Sequence, residues 1–172
     1  MSYKAVKRYI NPRDGRIKEN KLSQDADMLP KRHRTMREFK ASFGDVNHYT
    51  FEFQGYFIVI DLKYAFNHFN NNTYLQKREH LNGTLLETLT NPLIVVKSKY
   101  EDEQTLTFYK PFKNEQGLHH MLMFKAFKKE NGKYYFKTIY RADTLDKVSK
   151  VIKTLDLNTV YFKYEDTEGN GS

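Results

Sequence analysis

The tightest constraint on this chain lies between Leu93 and Tyr140. Four runs there, Leu93 to Val96, Thr105 to Phe112, His119 to Phe127 and Tyr134 to Tyr140, are rich in β-branched and aromatic residues, which suit a pleated, half-buried surface. The last two runs flank Asn131-Gly132, a dipeptide that tolerates positive φ and so favours a tight hairpin. With those two residues as the turn, Lys125 falls directly opposite Thr138, and the pair shares one side of the sheet. The sequence has 13 Phe and 13 Tyr but no Trp, so its core is built from Phe, Tyr and the aliphatic residues, with much of the chain in strands.

The remaining segments read as helices and further strands. Tyr49 to Ile60 has strand composition interrupted at Gly55, giving two short strands or one strand with a bulge. Leu62, Ala65, Phe66 and Phe69 share a helical face. Thr73 has the spacing of a capping box with Gln76, and the leucines from Leu75 to Leu89 continue a helix that Asn91-Pro92 ends. Asp143 caps a third helix carrying Leu145, Val148, Ile152 and Leu155, followed by a strand from Thr159 to Tyr164. The expected fold is therefore α+β: a small, curved, mainly antiparallel sheet packed by two or three helices.

Charge divides the chain unevenly. Residues 1–40 hold 12 Lys or Arg against 5 Asp or Glu, which is most of the net charge of +8. Apolar residues there are scattered, and Lys31-Arg-His-Arg-Thr-Met-Arg37 forms a cationic cluster. Residues 1–45 are expected to form a basic, loosely structured arm, 46–166 a single domain, and 167–172 a disordered tail. The arm is either a solvated segment or a phosphate-binding one, for neutralising phosphates releases counterions and gives sequence-blind affinity. In the second reading Lys31, Arg32, Arg34 and Arg37 bind the substrate.

Several function classes drop out. With no cysteine there is no disulfide framework, thiolate metal site or Cys nucleophile, and a reducing compartment suits the chain. No apolar run approaches the roughly 20 residues of a membrane-spanning helix, and Met1 to Arg8 lacks the apolar segment of a secretory signal, so the expected location is cytoplasmic. Phosphate-loop, dinucleotide and zinc-protease motifs are absent. His119 and His120 are strand neighbours that face opposite ways, a poor metal pair, and Glu101-Asp-Glu103 reads as a solvated hairpin tip. Neither a metal nor another cofactor is expected.

What remains is a set of His, Lys, Arg, Thr and Tyr side chains on a curved sheet. Metal-free cleavage of RNA uses such groups: a base near neutral pKa takes the 2′-hydroxyl proton, cations stabilise the phosphorane, and an acid protonates the leaving 5′-oxygen.

The order of elements sharpens this reading. Tyr74-Leu-Gln-Lys-Arg-Glu-His80-Leu, Leu85 to Val96 with Asn91-Pro92 inside it, Thr107-Phe-Tyr-Lys110, His119 to Lys125, and Tyr135-Phe-Lys-Thr138-Ile-Tyr-Arg141 together resemble the phage-associated nuclease domains of the barnase, EndoU, colicin and RelE class. The resemblance covers roughly residues 72–142. It implies a metal-independent ribonuclease of toxin or effector type in which His80 is the general base or acid, Lys110 and Lys125 contact the scissile phosphate, and Thr138 hydrogen-bonds it. Arg141 and Tyr140 would complete the cluster. RNA is the implied partner, and an immunity protein is a possible second one. The basic segment, the strands before Leu62 and the helix after Asp143 have no counterpart in that class. A non-catalytic nucleic-acid-binding accessory protein and a phage-encoded inhibitor of a host protein are the competing expectations.

Overall fold

A computed structural model describes residues 4–71, 77–100, 102–142, 144–153 and 159–164, with the side chains of 4–6, 100, 118–125, 127 and 153 left aside. The Thr73 cap, the Asp143 cap and the 167–172 tail fall outside this range.

The sheet begins with a hairpin. Strands β2 (His48–Phe53) and β3 (Tyr56–Asp61) pair antiparallel from His48↔Asp61 to Phe53↔Tyr56. The two linking residues, Gln54 and Gly55, have φ of 50° and 84°, the doubly left-handed loop that matches the twist of the strands it joins. Gly55 thus marks a turn between two strands. The ladder continues through β4 (Ile94–Tyr100), β5 (Glu103–Asn114), β6 (Gly117–Lys128) and β7 (Tyr134–Arg141), and ends with β8 (Thr159–Phe162). The strand order is β2-β3-β7-β6-β5-β4-β8.

The α+β class holds, and the sheet is mixed. The β3–β7 ladder is parallel, as is that between β5 and a two-residue strand β1 (Asp27–Met28). β1 lies beside Phe112 and Lys113, past the point where β4 stops at Tyr109. Pro111, which has no amide to donate, falls in the gap between them.

The sheet curls so far that its ends meet. Phe53 on β2 and Tyr161 on β8, at opposite ends of the strand order, make an edge-to-face contact with ring centroids 5.2 Å apart. Central β5 is covered on both faces, which is why every residue from Thr105 to Phe112 is buried. Phe108 points into the concave core with Ile58, Phe66, Leu89 and Ile139, whereas Tyr109 points into the convex core with Tyr9, Leu22, Val148 and Phe162.

Six α-helices are described, against two or three expected. Helix α1 (Lys4–Tyr9), α2 (Glu19–Asp25) and α6 (Leu145–Lys153) serve the convex core, and α3 (Met36–Ser42), α4 (Leu62–Phe69) and α5 (Leu85–Thr90) the concave one. Asp61 caps α4 by accepting from the Tyr64 amide at 3.1 Å. The long helix expected before Asn91-Pro92 is instead a 3-10 helix, Glu79–Thr84, followed by α5. Asn82-Gly83 interrupts it, both residues being weak helix formers.

The expectation of a loose arm is corrected. Tyr9, Leu22 and Phe39 have no exposed surface, and each such side chain contributes about 1.5–3 kcal/mol by burial. Arg8 donates to Asp25 from Nε at 2.8 Å and from Nη2 at 3.2 Å, Tyr9 Oη donates to the same carboxylate at 2.7 Å, and the guanidinium lies 3.6 Å from the Tyr164 ring centroid. The segment is basic in composition yet scattered apolar residues, each at a helix position facing the sheet, fasten it to both cores.

Candidate nucleic-acid interface

His80 stands on the 3-10 helix, half-buried. Burial lowers its pKa, and the guanidinium charges of Arg141 and Arg32 lower it further, with Glu79 opposing. Both effects favour the uncharged imidazole. Arg141 comes from the end of β7 and Arg32 from the cationic cluster, so three residues far apart in sequence converge.

The cluster is held there by specific bonds. Buried Asn82 accepts from the His33 amide at 2.6 Å and donates to the His33 carbonyl at 2.9 Å, satisfying a backbone donor and acceptor with one side chain. A Cβ on Gly83 would collide with the Lys31 carbonyl, so only glycine lets the two segments approach this closely. Arg32 Nη1 donates to Glu79 Oε1 at 2.9 Å between exposed groups. Thr35 then caps α3 by accepting from the Glu38 amide at 3.1 Å, and the Glu38 carboxylate accepts from the Arg34 amide. Lys31, Arg34 and Arg37, from the same cationic cluster as Arg32, are exposed.

Two other expected contacts are corrected. Lys110 is buried, donating from Nζ to Asp27 Oδ2 and to the Asn91 carbonyl, both at 2.7 Å. That bond holds the Asp27 carboxyl below its ordinary range, and it commits Lys110 to joining β1, β5 and the end of α5 rather than to a phosphate. Tyr140 packs on the convex core, on the opposite face of β7 from Ile139 and Arg141, because alternate strand residues face opposite ways.

Lys125 does pair with Thr138 across β6 and β7, although the turn differs from the expected one. Lys129 N donates to the Lys133 carbonyl, leaving a three-residue loop, Glu130-Asn131-Gly132, with Gly132 at φ 82°. This offsets the pairs nearest the turn by one, and a bulge beside Lys125 restores the register. The Lys125 side chain lies outside the described set.

Thr138 is engaged by a residue that sequence reasoning missed. Its Oγ1 lies 2.9 Å from His68 Nε2, to which Arg78 Nη1 (3.0 Å) and the Ile139 amide (3.4 Å) also point. An amide and a guanidinium only donate. Nε2 therefore carries the lone pair, Nδ1 carries the proton, and His68 is neutral. Burial first, and Arg78 second, lower its pKa. The physical cause is at the sheet edge: β3 pairs with β7 only at Tyr134 and Tyr135, and beyond that α4 supplies the partners. Tyr64 Oη donates to the Lys137 carbonyl at 3.1 Å, and His68 accepts from Ile139. The available signal was spacing, for Asp61, Tyr64 and His68 follow one another on the helix at three and four residues.

Among the described residues no group of three or more His, Asp or Glu side chains gathers to hold a metal ion, and no helix is long and apolar enough to cross a membrane. Comparison with protein-family models, curated proteins and solved structures gave no match.

Proposed function

We propose that this protein engages RNA through the face carrying Lys31, Arg32, Arg34, Arg37, His80 and Arg141, and cleaves it without a metal. One feature carries the reading: a half-buried imidazole whose pKa is lowered by burial and by the charges of two arginines, Arg141 and Arg32. A neutral imidazole can accept a proton at pH 7, and guanidinium is suited to the charge on a phosphorane. In the proposed step His80 takes the 2′-hydroxyl proton, the 2′-oxygen bonds to phosphorus, and the bond from phosphorus to the 5′-oxygen breaks. The leaving oxygen takes a proton from water, and a 2′,3′-cyclic phosphate remains.

The test is incubation of the purified protein with RNA in EDTA. Cyclic phosphate ends that disappear in His80→Ala, in protein that still folds, support cleavage. An unchanged cleavage rate in that variant removes His80 from the reaction. A second reading, nucleic-acid binding without catalysis, is favoured by the commitment of Lys110 and His68 to internal bonds, which leaves fewer groups for acid catalysis. It predicts RNA affinity that falls in Arg32→Ala/Arg141→Ala and is unaltered in His80→Ala, with no product.

A further inference from the structure

A cationic cleft lies at the end of β7 away from Arg141. The Tyr134 hydroxyl donates to Gln104 Oε1 there, whereas His80 is beside Arg141. Seven residue steps along a strand separate those ends, about 20 Å at the usual rise. The cleft forms at the seam of the curled sheet, where β3 approaches β4 and β8. It has a volume of about 580 Å³ and is lined by Tyr56, Lys97, Ser98, Lys99, Gln104, Thr159 and Val160, a size typical of small-ligand sites.

Lys97 and Lys99 are two residues apart on β4, on the side that carries Val95 into the concave core. Lys97 is half-buried and Lys99 exposed at the cleft mouth, whereas buried Lys110 bonds Asp27 and Lys113 donates to the Ser23 carbonyl at 3.0 Å. Among the described residues neither Lys97 nor Lys99 has a carboxylate or carbonyl partner. Lys97 Nζ lies 5.6 Å from the Tyr56 ring centroid, a contact that orients the ammonium and leaves its protons unused. The cleft lining contains no Asp or Glu. Two ammonium groups without a carboxylate at one cleft, with the Gln104 amide on the same face of the sheet, call for a compact dianion with several acceptor oxygens.

We infer that this cleft binds a phosphomonoester, held by Lys97 and Lys99. Lysine acts on a phosphate as a point charge with three donors, and a recess strengthens the attraction relative to an open surface. The inference is independent of the RNA reading, which rests on other residues. The phosphomonoester has two sources, a free phosphorylated small molecule or the phosphorylated end of a nucleic acid.

The experiment is a titration of the full chain, ¹⁵N-labelled, at constant ionic strength. The probes are inorganic phosphate, AMP, and a short oligonucleotide with and without a 5′-phosphate. Saturable shifts at the amides of Lys97, Ser98 and Gln104 are expected with phosphate and AMP. Lys97→Ala/Lys99→Ala should weaken phosphate binding at least roughly tenfold, given that hydrogen bonds to charged groups are individually worth about that much, while Arg32→Ala/Arg141→Ala leaves it unchanged. AMP binding above the oligonucleotide assigns a small molecule, and a preference for the 5′-phosphorylated oligonucleotide assigns a nucleic-acid end. Non-saturating shifts, or equal affinity in the folded double lysine variant, would overturn the inference. Absence of RNA cleavage and RNA binding by the wild-type protein, with phosphate binding retained, would sink the RNA reading alone.

Discussion

His68 offers the sharpest test of how the β7 edge is closed. Replacing it with alanine removes the acceptor for the Ile139 amide, which is buried, and for Thr138 and Arg78. A buried donor left unsatisfied costs about 1–3 kcal/mol. The imidazole also stacks on Tyr64 and meets Phe136 edge-on, with centroids 6.0 and 5.7 Å away, so truncation adds a packing loss. Since His68 is 8% exposed, water can reach the vacated space and recover part of both. The expected destabilisation is about 3 kcal/mol, read as a shift in the urea midpoint at unchanged slope. His68→Gln, whose amide oxygen accepts where Nε2 did, should cost clearly less.

The same arrangement gives a pH dependence with a definite sign. The native pKa of His68 lies below its ordinary value of 6.5, so between the two the unfolded chain binds more protons than the folded one. This contribution is fully present above pH 6.5 and is lost as pH falls toward the native pKa, with a slope of at most about 1.4 kcal/mol per pH unit. His80 acts in the same direction. Urea titrations at pH 7.5 and pH 5.5 should therefore show wild type losing more stability than His68→Ala on acidification. A midpoint within error of wild type for His68→Ala, or an undiminished pH slope, would refute the edge-closing role.

Three further outcomes follow from other contacts. Lys110→Met should destabilise the fold by about 1–3 kcal/mol, a buried-pair loss reduced by the exposure of Asp27, and should leave RNA affinity unchanged in a filter-binding assay. Gly83→Ala, which would improve helix propensity on an open surface, should instead destabilise by about 1–3 kcal/mol through overpacking and lower RNA affinity by displacing Lys31 and Arg32. Arg8→Ala should cost about 2 kcal/mol in thermal or urea unfolding, because it leaves the largely buried Asp25 carboxylate with only the Tyr9 hydroxyl and a more distant Lys21. Burial opposes the ionised form of Asp25, but its bonds to Arg8 and Tyr9 outweigh this and lower its pKa below 3.8. The stability it supplies is present above pH 3.8 and is lost as pH falls below it, a loss that Arg8→Ala should blunt.

The features legible in the sequence are those that local chemistry sets. Strand composition marked β2 to β8, Gly55 and Asn131-Gly132 marked turns, and Asn91-Pro92 marked the end of α5. Long-range contacts were not legible. Nothing near Tyr9, Leu22 or Phe39 announces that these isolated apolar residues insert into two cores, because Tyr9 and Leu22 cluster with Tyr109 and Phe162 on distant strands and Phe39 packs on Phe66 and Phe69 of α4. Lys110 looked like a surface cation beside a proline, and only the parallel β1 strand, two residues long, supplies the carboxylate that buries it. His80 and Arg141 were grouped only through the family resemblance, whereas His68 was hidden among the apolar residues of α4 and is defined by an edge that no local pattern describes.

The doubly bonded Asn82 has a bearing on how this protein is taken apart. Because it grips the backbone of His33, and Phe39 fills the concave interior just beyond, cutting the chain at residue 45 would strip away a wall of the molecule and not a detachable handle. The loss of any activity in such a fragment would report collapse. Individual arginine exchanges, which spare the clasp, are the scalpel that separates gripping a ligand from standing upright.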